Sequence, residues 1–316
     1  MIKTNTAFAK DVEAGLLAHP KRISSKYFYD ETGDGLFVKI MNMPEYYLTD
    51  CEFEILSNQA NAIVNCLETG DKHFNLIELG AGDGTKTIEL LKCMKGLDIT
   101  YMPIDISEHA LKKLESRLKK ELPWLEVKTQ QGEYFQVLQD LPQDDMKVIL
   151  FLGSNIGNFV DDIARDFLAQ LAASMHNGDK LLLGVDKKKE ESIVLPAYND
   201  AQGYTSAFNL NLLHRINREL EADFDVEKFA HRPHYDPESG IASSALESLD
   251  DQKVFIGALN ESFIFEKGEL LHTEISRKYD LPTLQDLFNG SGLCMKQVFT
   301  DSKEYFLDII YEKQAL

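Results

Sequence analysis

The stretch Glu78-Leu79-Gly80-Ala81-Gly82-Asp83-Gly84-Thr85-Lys86 holds the most chemically suggestive spacing in the chain. It follows the apolar run FNLIEL and precedes the amphipathic run TKTIELLKCM, so it reads as the turn between a buried strand and a helix. Glycines in such a turn let the backbone bend tightly and let a ligand approach the main chain. A dinucleotide fingerprint, GxGxxG, needs a further glycine where this chain has Thr85. The pattern acid-x-GxGxG suits a ligand with no pyrophosphate to cradle, such as S-adenosylmethionine, with Gly80 and Gly82 as its contacts. The same glycines also serve as a plain connection in many chains. The next strand, ITYMPID, ends in Asp105, where a carboxylate accepts hydrogen bonds from ribose hydroxyls or caps the following helix. After a third strand, Gly132-Glu133-Tyr134 offers an adenine contact through Glu133 and the neighbouring backbone, or else a solvated loop acid. All of these fall at the carboxyl ends of strands, where open α/β sheets bind ligands.

Other polar and aromatic groups cluster elsewhere. Tyr27, Phe28, Tyr29, Phe37, Tyr46 and Tyr47 crowd one short N-terminal segment. Buried tyrosines need partners for their hydroxyls, so the cluster is either a pocket wall with polar tips or ordinary packing. Gly153-Ser154-Asn155-Ile156-Gly157-Asn158 follows another apolar strand, and Asn158 there can orient a substrate as both donor and acceptor. Glu274 and Ser276 alternate on one strand and share a face. His231-Arg232-Pro233-His234 has metal-like spacing, but the proline breaks a helical face and no cysteine or second histidine pair joins it. It is expected as a surface loop, and no metal is expected. No GxSxG nucleophile elbow occurs.

Positioning these groups requires alternating strands and helices. FNLIEL, ITYMPID, LEVKTQQ, MKVILFLG and KLLLGVD read as strands; SEHALKKLESRLKKEL, opened by Ser107, and DIARDFLAQLAASMHNG, ended at Gly178, read as helices. That alternation predicts a doubly wound, mostly parallel α/β sheet, with CMKQVFTDSKEYFLDIIYE as an antiparallel edge hairpin. Thr49-Asp50-Cys51-Glu52 reads as the cap of an N-terminal helix. KVFIGALNESFIFEKGELLHTEISRKY reads as antiparallel strands, with Glu266-Lys267-Gly268-Glu269 as a hairpin turn. The division that follows is a cofactor-binding core at 61–195 and 281–316, and a discontinuous α+β substrate lobe at 1–60 and 196–280.

Composition narrows the function. The 316 residues carry 33 Lys+Arg against 52 Asp+Glu, a formal net charge of −19. This opposes a nucleic-acid grip by counterion release and docking on anionic lipid, and is read as a solubility property. No apolar run of about 18 residues is present, and the N-terminus lacks the apolar segment of a signal peptide. Four cysteines without a CxxC pair suggest a reduced, cytoplasmic compartment. A monomer acting on a small molecule is expected.

The segments FYDETGDGLFVKIMNMPEYYLTDCEFEIL, ELGAGDGTKT, FLGSNIGNF, AYNDAQGYTSAFN, INRELEADFDVEKF and TEISRKY together resemble the S-adenosylmethionine-dependent histidine Nα-methyltransferases of ergothioneine biosynthesis, which make hercynine. The likeness runs from about residue 20 to the C-terminus. It implies a class I methyltransferase fold, an amino-acid substrate, and S-adenosylmethionine leaving as S-adenosylhomocysteine. By motif position it implies that Gly80, Lys86, Asp105, Glu133 and Tyr134 line the cofactor site. It implies that Asn158 and Tyr198 hold the substrate carboxylate and amine with Tyr29 near the amine, and that Gly153 and Thr205 support that end. Phe37 and Tyr46 would wall the substrate, while Glu274 and Ser276 would read the imidazole. Where the family packs a methionine against the imidazole, this chain has Ser243, Ser244 and Ala245. Histidine is the first expected substrate; another aromatic amino acid or a histidine derivative is the alternative. A methyltransferase acting on protein or nucleic acid, and a non-catalytic binder of S-adenosylmethionine, are the rival readings.

Overall fold

A computed structural model describes residues 6–70, 72–140 and 145–315. The strands in chain order are β1 (Phe74–Leu79), β2 (Ile99–Asp105), β3 (Glu126–Val127), β4 (Gln130–Gln131), β5 (Met146–Phe151), β6 (Lys180–Asp186), β7 (Phe229–Asp236), β8 (Ile241–Ser248), β9 (Gln252–Ile256), β10 (Glu261–Phe265), β11 (Leu270–Arg277), β12 (Leu293–Thr300) and β13 (Phe306–Lys313). The helices are α1 (Ala7–Leu17), α2 (Glu31–Met41), α3 (Tyr47–Asn58), α4 (Ala60–Leu67), α5 (Thr87–Lys92), α6 (Glu108–Glu121), α7 (Tyr134–Asp140), α8 (Asp161–Ala173), α9 (Glu191–Val194), α10 (Tyr204–Leu220) and α11 (Leu281–Leu287). Contacts divide the chain into two units: a sheet unit of Leu48–Lys188 with Lys278 onward, and a mixed unit of residues up to Tyr47 with Lys189–Arg277. These limits lie at 47/48, 188/189 and 277/278, whereas the sequence suggested 60/61, 195/196 and 280/281.

In the sheet unit the strand order is β12-β13-β6-β5-β1-β2-β3, with β4 also beside β2. Strands β1, β2, β3, β5 and β6 run parallel, and β13 and β12 close the edge antiparallel. This is the expected doubly wound sheet with an edge hairpin. Strands β1 and β6 are buried along their whole length, which is why they are continuous apolar runs in the sequence. Ile77, Leu79, Ile149, Phe151, Leu181 and Leu183 pack with Leu168 and Leu171 of α8. From β1 the chain winds one way to β2 and β3, then returns to β5 and β6 on the other side. The topological switch therefore lies between β1 and β5, where a doubly wound sheet opens its ligand crevice.

Three local expectations are corrected here. Helix α3 begins at Tyr47, ahead of Thr49, because Tyr47 and Leu48 are buried and extend the helix toward the N-terminus. LEVKTQQ is two short pieces, β3 and β4, rather than one strand; its polar residues lie at the sheet edge and have few partners. Helix α8 ends at Ala173, and Gly178, at φ 94°, lies in the turn that feeds β6. Ser107 does cap α6, accepting the Ala110 N–H at 3.2 Å.

In the mixed unit, β11-β8-β7 form one antiparallel sheet and β10-β9 a separate pair. The Glu266–Glu269 turn is therefore not the end of a hairpin, since β10 and β11 belong to different sheets. The Gly268 N–H donates to the Ser248 carbonyl at 2.7 Å, fastening that turn to the end of β8. The core gathers Phe28, Phe208, Leu212, Ile216, Leu246 and Leu271. His231 and His234 are on β7, not in a loop; among the described residues β7 pairs with β8 alone, so Pro233 occupies an edge strand, where a missing N–H is tolerated. Among the described residues no helix is long and apolar enough to cross a membrane.

Candidate active site

In the sheet unit, the turn after β1 requires glycine. Gly80 and Gly82 sit at φ 74° and 55°, the left-handed region that disfavours side chains. A Cβ on Gly80 would meet the Tyr134 hydroxyl at 2.7 Å and the Asn155 amide nitrogen at 3.2 Å. The turn is thus a cradle that only glycine leaves open. Asp105 ends β2 with one carboxylate oxygen accepting the Gly82 N–H at 3.2 Å and the other accepting the Ser107 N–H at 2.9 Å. An ionised carboxylate has further lone pairs, so this fixed group can still accept from diol hydroxyls. Glu133 is exposed, while the Tyr134 ring packs among Phe151 and Phe167. Burial, then the negative charge of Asp105, pushes the Tyr134 phenol well up, so it stays protonated as a donor.

The second glycine turn follows β5. Gly153 is at φ 73°, and a Cβ there would lie 3.6 Å from the Lys86 ammonium and 3.7 Å from the Asn155 amide. The Gly153 N–H donates to Glu52 at 2.7 Å, and the other Glu52 oxygen pairs with Lys86. Asn158 is exposed at the end of the short turn Asn155–Asn158. Ser154 is no nucleophile: it is buried, and its hydroxyl oxygen accepts the Asp186 N–H at 2.9 Å. The acid of the glycine motif, Glu78, points away from solvent and accepts the Thr87 hydroxyl at 2.6 Å and the Tyr101 hydroxyl. Burial pushes its carboxyl up to about 7, against the pull of those two hydroxyls.

The mixed unit collects the remaining residues around α10 and the β7-β8-β11 sheet. Phe208 of α10 lies 5.7 Å from the Tyr29 ring and 5.8 Å from Phe37; Phe37 in turn meets Tyr46 edge-on at 6.4 Å. Tyr198 is buried, and its carbonyl accepts from His231 Nε2 at 2.9 Å. Thr205 gives both its N–H and its hydroxyl to Asp200, at 2.8 and 2.6 Å, which fastens the first turn of α10. Across β8 and β11 the register sets Glu274 opposite Ser244 and Ser276 opposite Ala242, so both pairs project to one face. A bulge between His272 and Glu274 makes Thr273 bury its hydroxyl against Asn209 of α10 at 2.6 Å. Thr273, next to Glu274, therefore ties β11 to α10, and Phe208 of the same helix packs against Tyr29 and Phe37.

Several groups with evident roles were not foreseen. Glu52 looks like one more helix acid, and Asn155 like a turn residue. His231 donates Nε2–H to Tyr198, and its buried Nδ1 has no hydrogen-bond partner among the described residues; burial holds the imidazole below its usual range, hence neutral. The hydroxyl of Ser244 is likewise buried without a partner. Glu52 and Asn155 lie in segments that carry the family resemblance; His231 stood out only by its spacing to His234, and Ser244 only as part of the stretch where the family packs a methionine. Among the described residues no group of three or more His, Cys, Asp or Glu is arranged to hold a metal ion.

Comparison with known proteins bears on both units. The family model described as "Histidine-specific methyltransferase, SAM-dependent" matches residues 8–313. The histidine N-alpha-methyltransferase of Mycolicibacterium smegmatis is 35% identical over 297 residues, covering 93% of this chain and 91% of that protein. Its counterpart from Mycobacterium tuberculosis shows the same identity and coverage. Ergothioneine biosynthesis protein 1 of Schizosaccharomyces pombe is 31% identical, over 81% of this chain but 34% of its own greater length.

Proposed function

This chain belongs to the S-adenosylmethionine-dependent, histidine-specific methyltransferase family, and from that premise we propose that it carries L-histidine through successive Nα-methylations to the trimethylated betaine, hercynine. It is an S-adenosylmethionine-dependent amino-acid N-methyltransferase. The observation that carries the reading is the extent of the family match, 8–313, which takes in the glycine turn and the Glu274–Ser276 strand alike.

S-Adenosylmethionine supplies an electrophilic methyl group on its sulfonium. In the sheet unit, Gly80 and Gly82 bring main chain close to this donor, and Asp105 accepts from its ribose hydroxyls. Glu133 and Tyr134 serve the adenine side, and Lys86 meets the carboxylate of its amino-acid tail. Gly153 and Asn158 engage the polar end of the amino-acid acceptor. In the mixed unit, Tyr198 and Tyr29 orient the acceptor amine, Thr205 braces that end through Asp200, and Phe37 and Tyr46 wall the substrate. Glu274 and Ser276 accept from and donate to the imidazole ring. The amine must be neutral before each transfer. A phenol with an ordinary pKa near 10 is a weak base at neutral pH, so Tyr29 orients and relays while water takes the proton. The trimethylated product can no longer donate a hydrogen bond, and the faces of Phe37 and Tyr46 favour its fixed positive charge.

A second reading rests on Ser244. It lies opposite Glu274, buried and with its hydroxyl unpartnered among the described residues, in the stretch Ser243–Ala245 where the resemblance implies a methionine. A smaller, more polar wall suits a histidine derivative or another aromatic amino acid. The reading extends to a monomeric, cytoplasmic enzyme, the reduced compartment that four cysteines without a CxxC pair suit. The test is incubation of the pure protein with S-adenosylmethionine and all twenty amino acids, followed by mass spectrometry. Mono-, di- and trimethylhistidine are expected. Consumption of a different amino acid with histidine untouched would overturn the substrate and leave the methyltransferase.

A further inference from the structure

The proposed reaction uses none of the buried carboxyls at the carboxyl-terminal edge of the sheet, yet two of them share a single point. Glu52 on α3 is fully buried and has both oxygens engaged: one accepts the Gly153 N–H at 2.7 Å, the other pairs with the Lys86 ammonium. Asp308 on β13 is also fully buried, and neither of its oxygens has a hydrogen-bond partner among the described residues. Gly184 on β6 is where they come together. A Cβ there would lie 3.1 Å from an Asp308 oxygen and would collide with a Glu52 oxygen. Two carboxyls so close in a dry place do not both ionise. Burial, and then the charge of Glu52, push Asp308 well up, so it keeps its proton.

We propose that Glu52 is the positioning residue of the donor site. It fixes the Lys86 ammonium against the Gly153 turn, at the height where that ammonium receives the carboxylate of the donor's amino-acid tail. This rests on the reading of Lys86 as a donor contact. Three features support it beyond the ion pair. Lys86 stands beside Gly153, its ammonium 3.6 Å from where a Cβ of that residue would lie. Glu52 reaches two turns that follow different strands, β1 and β5, on either side of the topological switch. Gly184 leaves room for its carboxylate that any side chain would fill. Without the Glu52 charge the ammonium still has two carboxyls nearby, Glu78 on β1 and Asp308 on β13; the second of these lies against Glu52. That residue would then lose the charge that keeps it protonated and would draw the ammonium toward itself.

Calorimetry with two ligands isolates the effect. S-Adenosylhomocysteine carries the amino-acid tail; 5′-methylthioadenosine lacks it. Glu52→Gln is expected to weaken S-adenosylhomocysteine about tenfold, the loss of one charge-assisted contact, and to leave 5′-methylthioadenosine unchanged. Lys86→Met is expected to show the same split, and the double variant to bind no more weakly than Lys86→Met alone, because Glu52 acts through Lys86. Equal loss of both ligands in Glu52→Gln would mean a merely structural role and would overturn the proposal. So would unchanged or tighter S-adenosylhomocysteine in Glu52→Gln while Lys86→Met weakens it, which would leave the reading of Lys86 intact. Unchanged S-adenosylhomocysteine in Lys86→Met would remove that reading and the proposal with it. Should Glu52→Gln fail to fold with its cation unpaired, the charge-neutral double variant decides by itself against Lys86→Met: equal affinity supports the proposal, weaker affinity overturns it.

Discussion

Glu78 makes a prediction about stability that depends on none of the chemistry above. The folded carboxyl sits at about 7 against 4.5 when exposed, and it is fully buried between the Thr87 and Tyr101 hydroxyls. A raised pKa in an acid means that the folded chain holds a proton which the unfolded chain has already released. Stability is therefore greatest below pH 4.5 as far as this group is concerned. It falls as pH rises from 4.5 to about 7, and stays at the lower level above that. At 1.36 kcal/mol per pKa unit, the total loss is about 3 kcal/mol, a large part of the net stability of a domain. Glu78→Gln cannot ionise. Its amide oxygen accepts one hydroxyl and its NH2 donates to the other, since a hydroxyl is both donor and acceptor. Urea unfolding of both proteins by circular dichroism at steps from pH 5 to 8 should show the variant gaining on the wild type by most of that 3 kcal/mol. Parallel curves across the window would show that Glu78 carries no raised pKa, and the argument from its burial would fail.

Two further outcomes follow from the two units. Gly80→Ala forces a Cβ into contact with the Tyr134 hydroxyl at 2.7 Å at a φ of 74°, so it should cost about 1–2 kcal/mol in backbone strain and weaken S-adenosylmethionine at least tenfold by calorimetry. Undiminished binding would mean that the turn is only a connection. Glu274→Ala should raise the KM for histidine well above any change in the KM for S-adenosylmethionine, and equal loss of both in steady-state kinetics would count against its role at the imidazole.

The features readable from sequence are those governed by neighbours along the chain. Strands β1 and β6 announce themselves because both faces are buried and every position must be apolar. The glycine turn announces itself because Gly80 and Gly82 need positive φ. Ser107 caps α6 through a bond three residues away. Pairing across the sheet has no such local cause. Nothing in Glu266-Lys267-Gly268-Glu269 says whether the next strand will pair with the last. The choice is made where Leu271 packs with Leu246 of β8, directly opposite in register. The false hairpin and the early start of α3 were decided by burial against residues far along the chain, and the split third strand by its place at the sheet edge, where few partners hold it.

The site follows the same division, and its acids make the point sharpest. A formal charge of −19 says only that acids abound and that most face water. Yet several acids that do not face water hold the chain's turns. Asp179 takes the N–H groups of Lys147 and His176, Asp200 those of Tyr204 and Thr205, and Asp301 those of Lys303, Tyr305 and Phe306. Asp186 is paired with Lys278 at 2.8 Å, and both side chains are fully buried. In the sequence Glu52 differs in no respect from Asp50 or Glu54 beside it. What separates it is a glycine amide at 153 and a missing side chain at 184, both far along the chain. Asp308 is the exception that gives the pattern meaning: its oxygens have no hydrogen-bond partner among the described residues, and it lies against Glu52. Burial, and then the Glu52 charge, hold the Asp308 carboxyl well above the usual carboxylate range, so it stands beside the Glu52–Lys86 pair as the neutral acid. A zwitterionic amino-acid tail, itself neutral, can enter beside it without adding net charge to the interior.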